Sequence, residues 1–155
     1  MFFINVEGAV YRGDKWLMIE RSHKEEHAGG MLSFVGGTVD REGASSDILE
    51  RTLRRELMEE VGISVHDNMT YVRNTSFVLP DGREVVDIVF LCEWKSGEPF
   101  PKSPDEVEAV HWMTTEEIVS HPQTESYLHD NIKEADRLRN LPKHSTNEQE
   151  TYRSR

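Results

Sequence analysis

The segment "DILERTLRRELMEEVGI", residues 47–63, has the periodicity of a helix that packs one side against a core. Apolar residues recur at every fourth position and form a stripe: Leu49, Leu53, Leu57 and Val61. Gly62 follows this stripe and is suited to end a helix in the left-handed conformation. At the other end, Asp47 and Glu50 have the spacing of a capping box. The segment therefore predicts an amphipathic helix from Asp47 to Gly62.

Three carboxylates crowd the second half of this helix: Glu56, Glu59 and Glu60. On a helical wheel at about 100° per residue, Glu56 and Glu60 fall within about 20° of Leu49, on the core-facing side. Solvated glutamates would lie opposite the apolar stripe, and like charges three or four residues apart repel each other. Unpaired buried carboxylates are costly, whereas a divalent cation that prefers oxygen ligands would neutralise them. The helix therefore predicts a site for Mg²⁺ or Mn²⁺.

The regions on both sides of the helix have the patterns of strands. Upstream, "FFINVEGAVY", "KWLMIER" and "MLSFVGG" predict three strands. Downstream, an Asp-Gly turn between "MTYVRNTSFVLP" and "REVVDIVFLCEW" predicts a hairpin, and "VEAVHWM" predicts a further strand. "TTEEIVSH" predicts a short helix, and the amphipathic pattern from Glu125 to Leu141 predicts a last one. This order predicts an α/β fold, a mixed β-sheet with helices packed on its faces.

The length and polarity of the chain bound its organisation. At 155 residues it is long enough for one domain with a core, which we expect to span residues 1–141. Residues 142–155 have little to bury and are predicted to be disordered. The apolar runs are too short for a membrane helix, and no secretion signal is recognisable, so we expect a cytoplasmic protein. Cys92 lies in an apolar run and is predicted to be buried rather than nucleophilic.

The charge balance is strongly acidic. Eighteen Lys and Arg residues against 29 Asp and Glu residues give a net charge of -11 at pH 7. Such a surface repels the nucleic-acid backbone, so we exclude duplex DNA or RNA as a partner. A small phosphorylated ligand remains compatible with this charge if divalent cations lie between its phosphates and the carboxylates of the protein.

The glycine pair Gly36 and Gly37 precedes the loop that leads into the helix. Glycine allows the backbone to approach a metal or phosphate closely, and its carbonyl group can act as a ligand. A glycine pair is also typical of a simple turn, so the sequence leaves both interpretations open.

Residues 36–63, "GGTVDREGASSDILERTLRRELMEEVGI", resemble the Nudix box, G-x5-E-x7-R-E-U-x-E-E-x-G-U, in which U is aliphatic. The second half of the motif is matched at every position: Arg55, Glu56, Leu57, Glu59, Glu60, Gly62 and Ile63. The first half departs from it, because Asp47 occupies the position of the first glutamate and nine residues rather than five separate it from Gly37. Alignment on Gly43 would instead place Ala44 at that position. The loop is about four residues longer than usual in either alignment.

The resemblance implies a Nudix-type α/β/α sandwich and hydrolysis of a nucleoside diphosphate linked to another group X. It implies that Glu56, Glu59 and Glu60 hold Mg²⁺, with Mn²⁺ as a substitute, and that Gly37 adds its carbonyl oxygen. It also implies that Arg55 orients a glutamate.

The family often supplies another acid from a loop before a late tryptophan. Glu106, six residues before Trp112, is the first candidate and Glu108 the second. Glu56, Glu60 and Glu106 are all candidates for the base that removes a proton from the attacking water.

The substrate is less constrained than the chemistry. We expect nucleoside triphosphates, including oxidised purine nucleotides, and the alternative is ADP-ribose or a nucleotide sugar. An alternative of another class is a Nudix-fold module that senses a nucleotide without catalysis. Family resemblance also suggests a homodimer. Five aromatic residues could stack on a nucleobase, although aromatic residues in strands usually belong to the core: Trp16, Phe34, Phe77, Phe90 and Trp112.

Overall fold

The computed structural model describes residues 1–25 and 27–142. Within these ranges the strands and helices follow in the order β1 (Phe2–Arg12), β2 (Lys15–Arg21), β3 (Leu32–Ser33), β4 (Val35–Thr38), α1 (Ile48–Val61), β5 (Ser64–Val78), β6 (Glu84–Ser96), β7 (Val107–Met113), α2 (Thr115–Ser120) and α3 (Ser126–Arg139).

The elements predicted from the sequence are present, with differences in two strands. The segment "MLSFVGG" forms two short strands, β3 and β4, separated at Phe34. Strand β5 begins at Ser64, five residues before the predicted Met69, because irregular pairing with β6 carries it through polar residues. Helix α1 ends at Gly62 with φ 74°, as its position predicted.

The sheet is mixed and is centred on β1. Strand β1 pairs in parallel with β6, from Phe2 opposite Glu84 to Tyr11 opposite Glu93. On its other side it pairs antiparallel with β4 and, at its end, with β2. Strand β5 lies antiparallel beside β6, and β7 lies antiparallel beside β2. The predicted mixed sheet is confirmed, with the β5–β6 hairpin at one side.

Helices cover both faces of this sheet. Leu53, Leu57 and Val61 of α1 pack into one buried cluster with apolar residues of β1, β2 and β6. Helices α2 and α3 contribute Ile118 and Leu128 to a second cluster on the opposite face. The α/β/α sandwich is therefore confirmed. Cys92 is fully buried in the first cluster, as predicted, and burial raises the pKa of its thiol to about 12.

The capping box predicted for α1 is wrong. Asp47 has φ 57° and ψ 34°, and its side chain accepts no hydrogen bond from the first turn. Instead, Arg51 holds the preceding loop: its Nε donates to the Ser46 carbonyl oxygen (3.0 Å), and its Nη2 donates to Ser45 Oγ (3.0 Å) and to the Glu42 carboxylate. The lengthened loop is thus fastened to the helix by a side chain one turn inside it.

A capping box does occur at α2. Thr114 Oγ1 accepts from the Glu117 N–H (3.2 Å), and Glu117 Oε1 accepts from the Thr114 N–H (3.1 Å). These reciprocal bonds satisfy two backbone donors at the start of a short helix.

Two expectations concern the limits of the chain. The predicted disorder of residues 142–155 falls, from residue 143 onward, outside the described residues. In the part of the chain that the structure describes, no helix has the length and apolar character needed to span a membrane.

Candidate active site

Helix α1 and the loop before β7 bring three carboxylates together. One oxygen from each of Glu56, Glu60 and Glu106 lies within 4.8 Å of the other two. Glu60 is buried, with 7% of its surface exposed, Glu56 is half-buried and Glu106 is exposed. The carbonyl oxygen of Glu106 accepts a hydrogen bond from the Ser22 N–H (3.0 Å), which ties its loop to the end of β2. Residues fifty positions apart in sequence thus form one acidic cluster.

Strand β4 approaches α1 so closely that a side chain would not fit at Gly37. A Cβ atom built on Gly37 would lie 2.4 Å from Cδ of Glu56. At Gly36, a Cβ atom would lie 2.1 Å from the carbonyl oxygen of Val6. The glycine pair therefore lies in a strand: Gly37 leaves room for the carboxylate of Glu56, and Gly36 allows β4 to approach β1 closely.

Arg55 lies among several carboxylates. Its Nη2 is 3.3 Å from Oε1 of Glu56 and 3.7 Å from Oδ2 of Asp40, and its Nε is 3.9 Å from Oε1 of Glu59. The side chain of Glu59 is 61% exposed and lies outside the three-carboxylate cluster. Glu108 is exposed on β7 and also lies outside it. The structure thus assembles some of the predicted residues and separates others.

The cluster has the electrostatics of a cation site. Burial, reinforced by the neighbouring carboxyl group of Glu106 and then by Glu56, raises the pKa of Glu60 to about 9. Burial also raises the pKa of Glu56, although Arg55 acts in the opposite direction. Oε2 of Glu60 is buried without a hydrogen-bond partner among the described residues. A buried oxygen of this kind and a converging set of hard oxygen donors fit a divalent cation such as Mg²⁺.

A cavity of about 480 Å³ opens beside the cluster. Its wall includes residues of β1, β2, β4, α1 and β5 and of the start of α3. Arg21 brings a permanent positive charge to this wall. Of the aromatic residues considered from the sequence, Phe34 and Phe77 line the cavity, whereas Trp16 and Phe90 belong to the core.

Sequence reasoning missed several residues of the cavity. Asn5, Glu7 and Arg21 lie in the first two strands, far from the helix motif, and only sheet pairing brings them to the site. The signal available in the sequence was the polarity of Asn5 and Glu7, which alternate with Ile4, Val6 and Gly8 in an otherwise apolar strand.

Comparisons with known proteins agree with this arrangement. The family model described as the NUDIX domain matches residues 1–135. The chain is 28% identical over 117 residues to the NAD-capped RNA hydrolase NudC of Stutzerimonas stutzeri, covering 76% of this chain and 38% of that protein. This chain therefore spans well under half the length of that curated relative.

Solved structures show the same fold. The MutT NUDIX hydrolase from Burkholderia pseudomallei superimposes with a TM-score of 0.72 at 26% identity, covering 86% of this chain and 98% of that one. The MutT protein from Methanosarcina mazei Go1 gives a TM-score of 0.75 at 21% identity, covering 90% and 96%. Because the matched family model extends over most of the chain and includes the glutamate helix, the chain belongs to the Nudix hydrolase family.

Proposed function

We propose that the chain hydrolyses a pyrophosphate bond in a nucleoside diphosphate linked to X, and that nucleoside triphosphates are its substrates. The observation that carries this proposal is the set of three carboxylates within 4.8 Å of one another on the wall of a cavity of about 480 Å³. That volume lies within the range of roughly 300–1,000 Å³ that is typical of small-molecule sites.

The proposed cofactor is Mg²⁺, which Mn²⁺ can replace. Glu56, Glu60 and Glu106 would hold it, with Gly37 and Glu59 as the further ligands expected from the motif. When bound, such a cation neutralises phosphate charge in the transition state and makes a coordinated water more acidic.

Side chains of the protein position the carboxylates, bind the phosphates and accept the proton of the attacking water. Arg55, 3.3 Å from Glu56, holds that carboxylate in position and limits the repulsion within the cluster. Arg21 on the cavity wall is placed to bind phosphate oxygens through its guanidinium group. One of Glu56, Glu60 and Glu106 accepts the proton of the attacking water, and each has a carboxyl oxygen at the cluster.

A substrate panel with and without Mg²⁺ tests this function. Nucleoside triphosphates, ADP-ribose and a nucleotide sugar are each incubated with the chain, and product formation is measured as kcat/KM. We expect turnover that requires the cation and favours the triphosphates. A preference for ADP-ribose would show that the proposed substrate is wrong, whereas the proposed hydrolysis of a pyrophosphate bond would stand. Binding of nucleotides without turnover of any of them would instead support a non-catalytic sensing module.

The setting that we propose for this activity is the cytoplasm, with a small nucleotide rather than a duplex nucleic acid as the bound partner. The net charge of -11 supports the exclusion of duplexes. A homodimer is proposed from the family resemblance alone, and sedimentation of the full chain tests it.

A further inference from the structure

A second pair of carboxyl groups lies on the central strands and takes no part in the proposed hydrolysis. Glu7 of β1 and Asp87 of β6 lie on the same face of the sheet at neighbouring register positions, since Glu7 is opposite Val89. Asn5 lies opposite Asp87 in the register, and its Nδ2 donates to Asp87 Oδ1 at 2.6 Å. Asp87 is 1% exposed, whereas Asn5 and Glu7 line the cavity. The two carboxyl groups therefore lie at the bottom of a polar patch that opens into the cavity.

The core does not require acidic residues at these positions. Glu7 and Asp87 occupy the sheet face whose neighbouring positions, Ala9 and Val89, pack into the apolar cluster of α2 and α3. Burial, together with the charge of Asp87, raises the pKa of Glu7 well above its ordinary value. Apolar residues would avoid the cost of burying two carboxyl groups side by side. A function in ligand recognition would explain why acidic residues occupy positions 7 and 87.

Two further features of the cavity indicate a flat, polar ligand. Ser33 lines the cavity and is 5% exposed, and its Oγ has no hydrogen-bond partner among the described residues. Near the opening, the rings of His27 and Phe77 are stacked, with centroids 6.0 Å apart and planes 15° apart. A nucleobase can form hydrogen bonds through its edge with free polar atoms inside the cavity. It can also stack its face on aromatic rings at the rim.

The two acidic groups lie on different faces of the sheet, which orients the ligand. Glu56 and Glu60 project from α1, on the face of β1 that carries Val6 and Val10. Glu7 alternates with Val6 and faces the other way. Phosphates would be attracted to a cation at the first group, whereas Glu7 and Asp87 form no comparable cation cluster among the described residues and offer hydrogen-bonding oxygens instead. The base of a bound nucleotide is therefore the part that can approach Glu7.

We propose that Glu7, beside the Asp87 carboxylate to which Asn5 donates, recognises the nucleobase and selects bases with adjacent N–H donors, such as the N1–H and 2-amino groups of guanine. This proposal rests on the proposed function for its substrate class. Carboxyl oxygens accept hydrogen bonds from such an edge. Uracil is disfavoured, because its single N–H lies between two carbonyl oxygens that would face the oxygens of the pair.

The first test compares guanine with uracil nucleotides in three variants. The ratio of kcat/KM for GTP to that for UTP is measured in the unmodified chain, in Glu7→Gln, in Asp87→Asn and in Glu84→Gln. Glu84 is an exposed residue of β6 outside the cavity and serves as the control. We expect the ratio to favour GTP in the unmodified chain and in the control. It should fall about tenfold or more in Glu7→Gln, mainly through KM, because an amide N–H₂ then faces the donors of the base.

The second test does not depend on hydrolysis. Binding of GMP and UMP is measured by calorimetry in EDTA, with thermal unfolding as the check that each variant is folded. We expect GMP to bind more tightly than UMP in the unmodified chain, and we expect this preference to be lost in Glu7→Gln. If Glu7→Gln does not fold, the same comparison is made with Asp87→Asn. If the chain hydrolyses none of the nucleotides but still binds GMP more tightly than UMP, the proposed hydrolysis is wrong and the proposed recognition of the nucleobase is supported. Equal binding of GMP and UMP, or a preference unchanged in a folded variant, overturns it.

Discussion

The carboxylates of the three-carboxylate cluster differ in exposure, and this difference determines what each contributes. Glu60 is the most buried, and the free oxygen of its carboxyl group has no partner in the described part of the chain. An acid in that position is unfavourable for the protein alone and becomes favourable when a cation is present. Catalysis and stability should therefore respond in opposite directions to its removal.

Replacing Glu60 with Gln should lower kcat by about 10²–10⁴-fold, because a neutral amide is a poor ligand and cannot accept the proton of water. The fold should persist, since the amide has the shape of the acid and removes a buried ionisable group. Steady-state kinetics and thermal unfolding in EDTA check both statements, with Glu84→Gln as control. Unchanged rates in Glu60→Gln would show that the essential carboxylates are others.

The stability of the cation-free protein should fall as the pH rises. The folded-state pKa of Glu60, about 9, exceeds its ordinary value of 4.5, so between these values the folded chain retains a proton that the unfolded chain has lost. The contribution of this proton is complete below pH 4.5 and is lost as the pH rises toward 9. Urea unfolding in EDTA at pH 6 and pH 8.5 measures the effect. The decrease in the free energy of unfolding between these two pH values should be smaller in Glu60→Gln. Equal decreases in the two proteins would show that Glu60 is not the group responsible.

At the scale of elements, the contact between β4 and α1 positions Glu56. Gly37→Ala would place a methyl group 2.4 Å from Cδ of Glu56, so this carboxylate must move. We expect a loss of roughly tenfold or more in kcat, because small displacements of catalytic groups are costly. Gly43→Ala is the matched control, since nothing lies within 4 Å of its added Cβ and its φ of 72° affects only stability. Similar kinetics for the two variants would contradict the close approach.

The starts of two helices should respond differently to substitution. Thr114→Ala removes a side-chain cap from α2 and should lower the free energy of unfolding by about 1 kcal/mol. Asp47→Gly should leave stability unchanged or raise it, because Asp47 makes no capping bond and glycine tolerates its φ of 57°. Urea unfolding of both variants provides the measurement. A large loss in Asp47→Gly would restore a structural role for that carboxylate.

These elements also show which features a sequence can predict. The direction of Glu56 and Glu60 followed from the periodicity of one helix, because the spacing of residues on a helix is local geometry. The cap at Asp47 was predicted wrongly because its backbone is left-handed, with φ 57°, rather than extended as in a capping residue, and residue spacing does not reveal the backbone conformation. Glu7 joins the cavity through pairing with residues about 80 positions away, which no local pattern encodes.

At the scale of the whole molecule, charge determines which large partners are accessible. With a net charge of -11, the chain should not bind a duplex of about 20 base pairs even at low ionic strength, because no release of counterions would favour the complex. Electrophoretic mobility of a labelled duplex at 50 mM and 200 mM salt tests this. Retardation that weakens as salt increases would reveal a basic surface and reverse the conclusion.

The central position of β1 has a consequence for the synthesis of the protein. Its parallel partner begins at Glu84, 82 residues after Phe2. At about 5–20 residues per second, a ribosome needs on the order of ten seconds to produce that partner. During this time the apolar side chains of β1 lack their main neighbour, and the large loop that must close slows folding. A nascent chain that stalls before β6 would therefore expose an unpaired hydrophobic strand, and it should depend on chaperones more than the completed protein does.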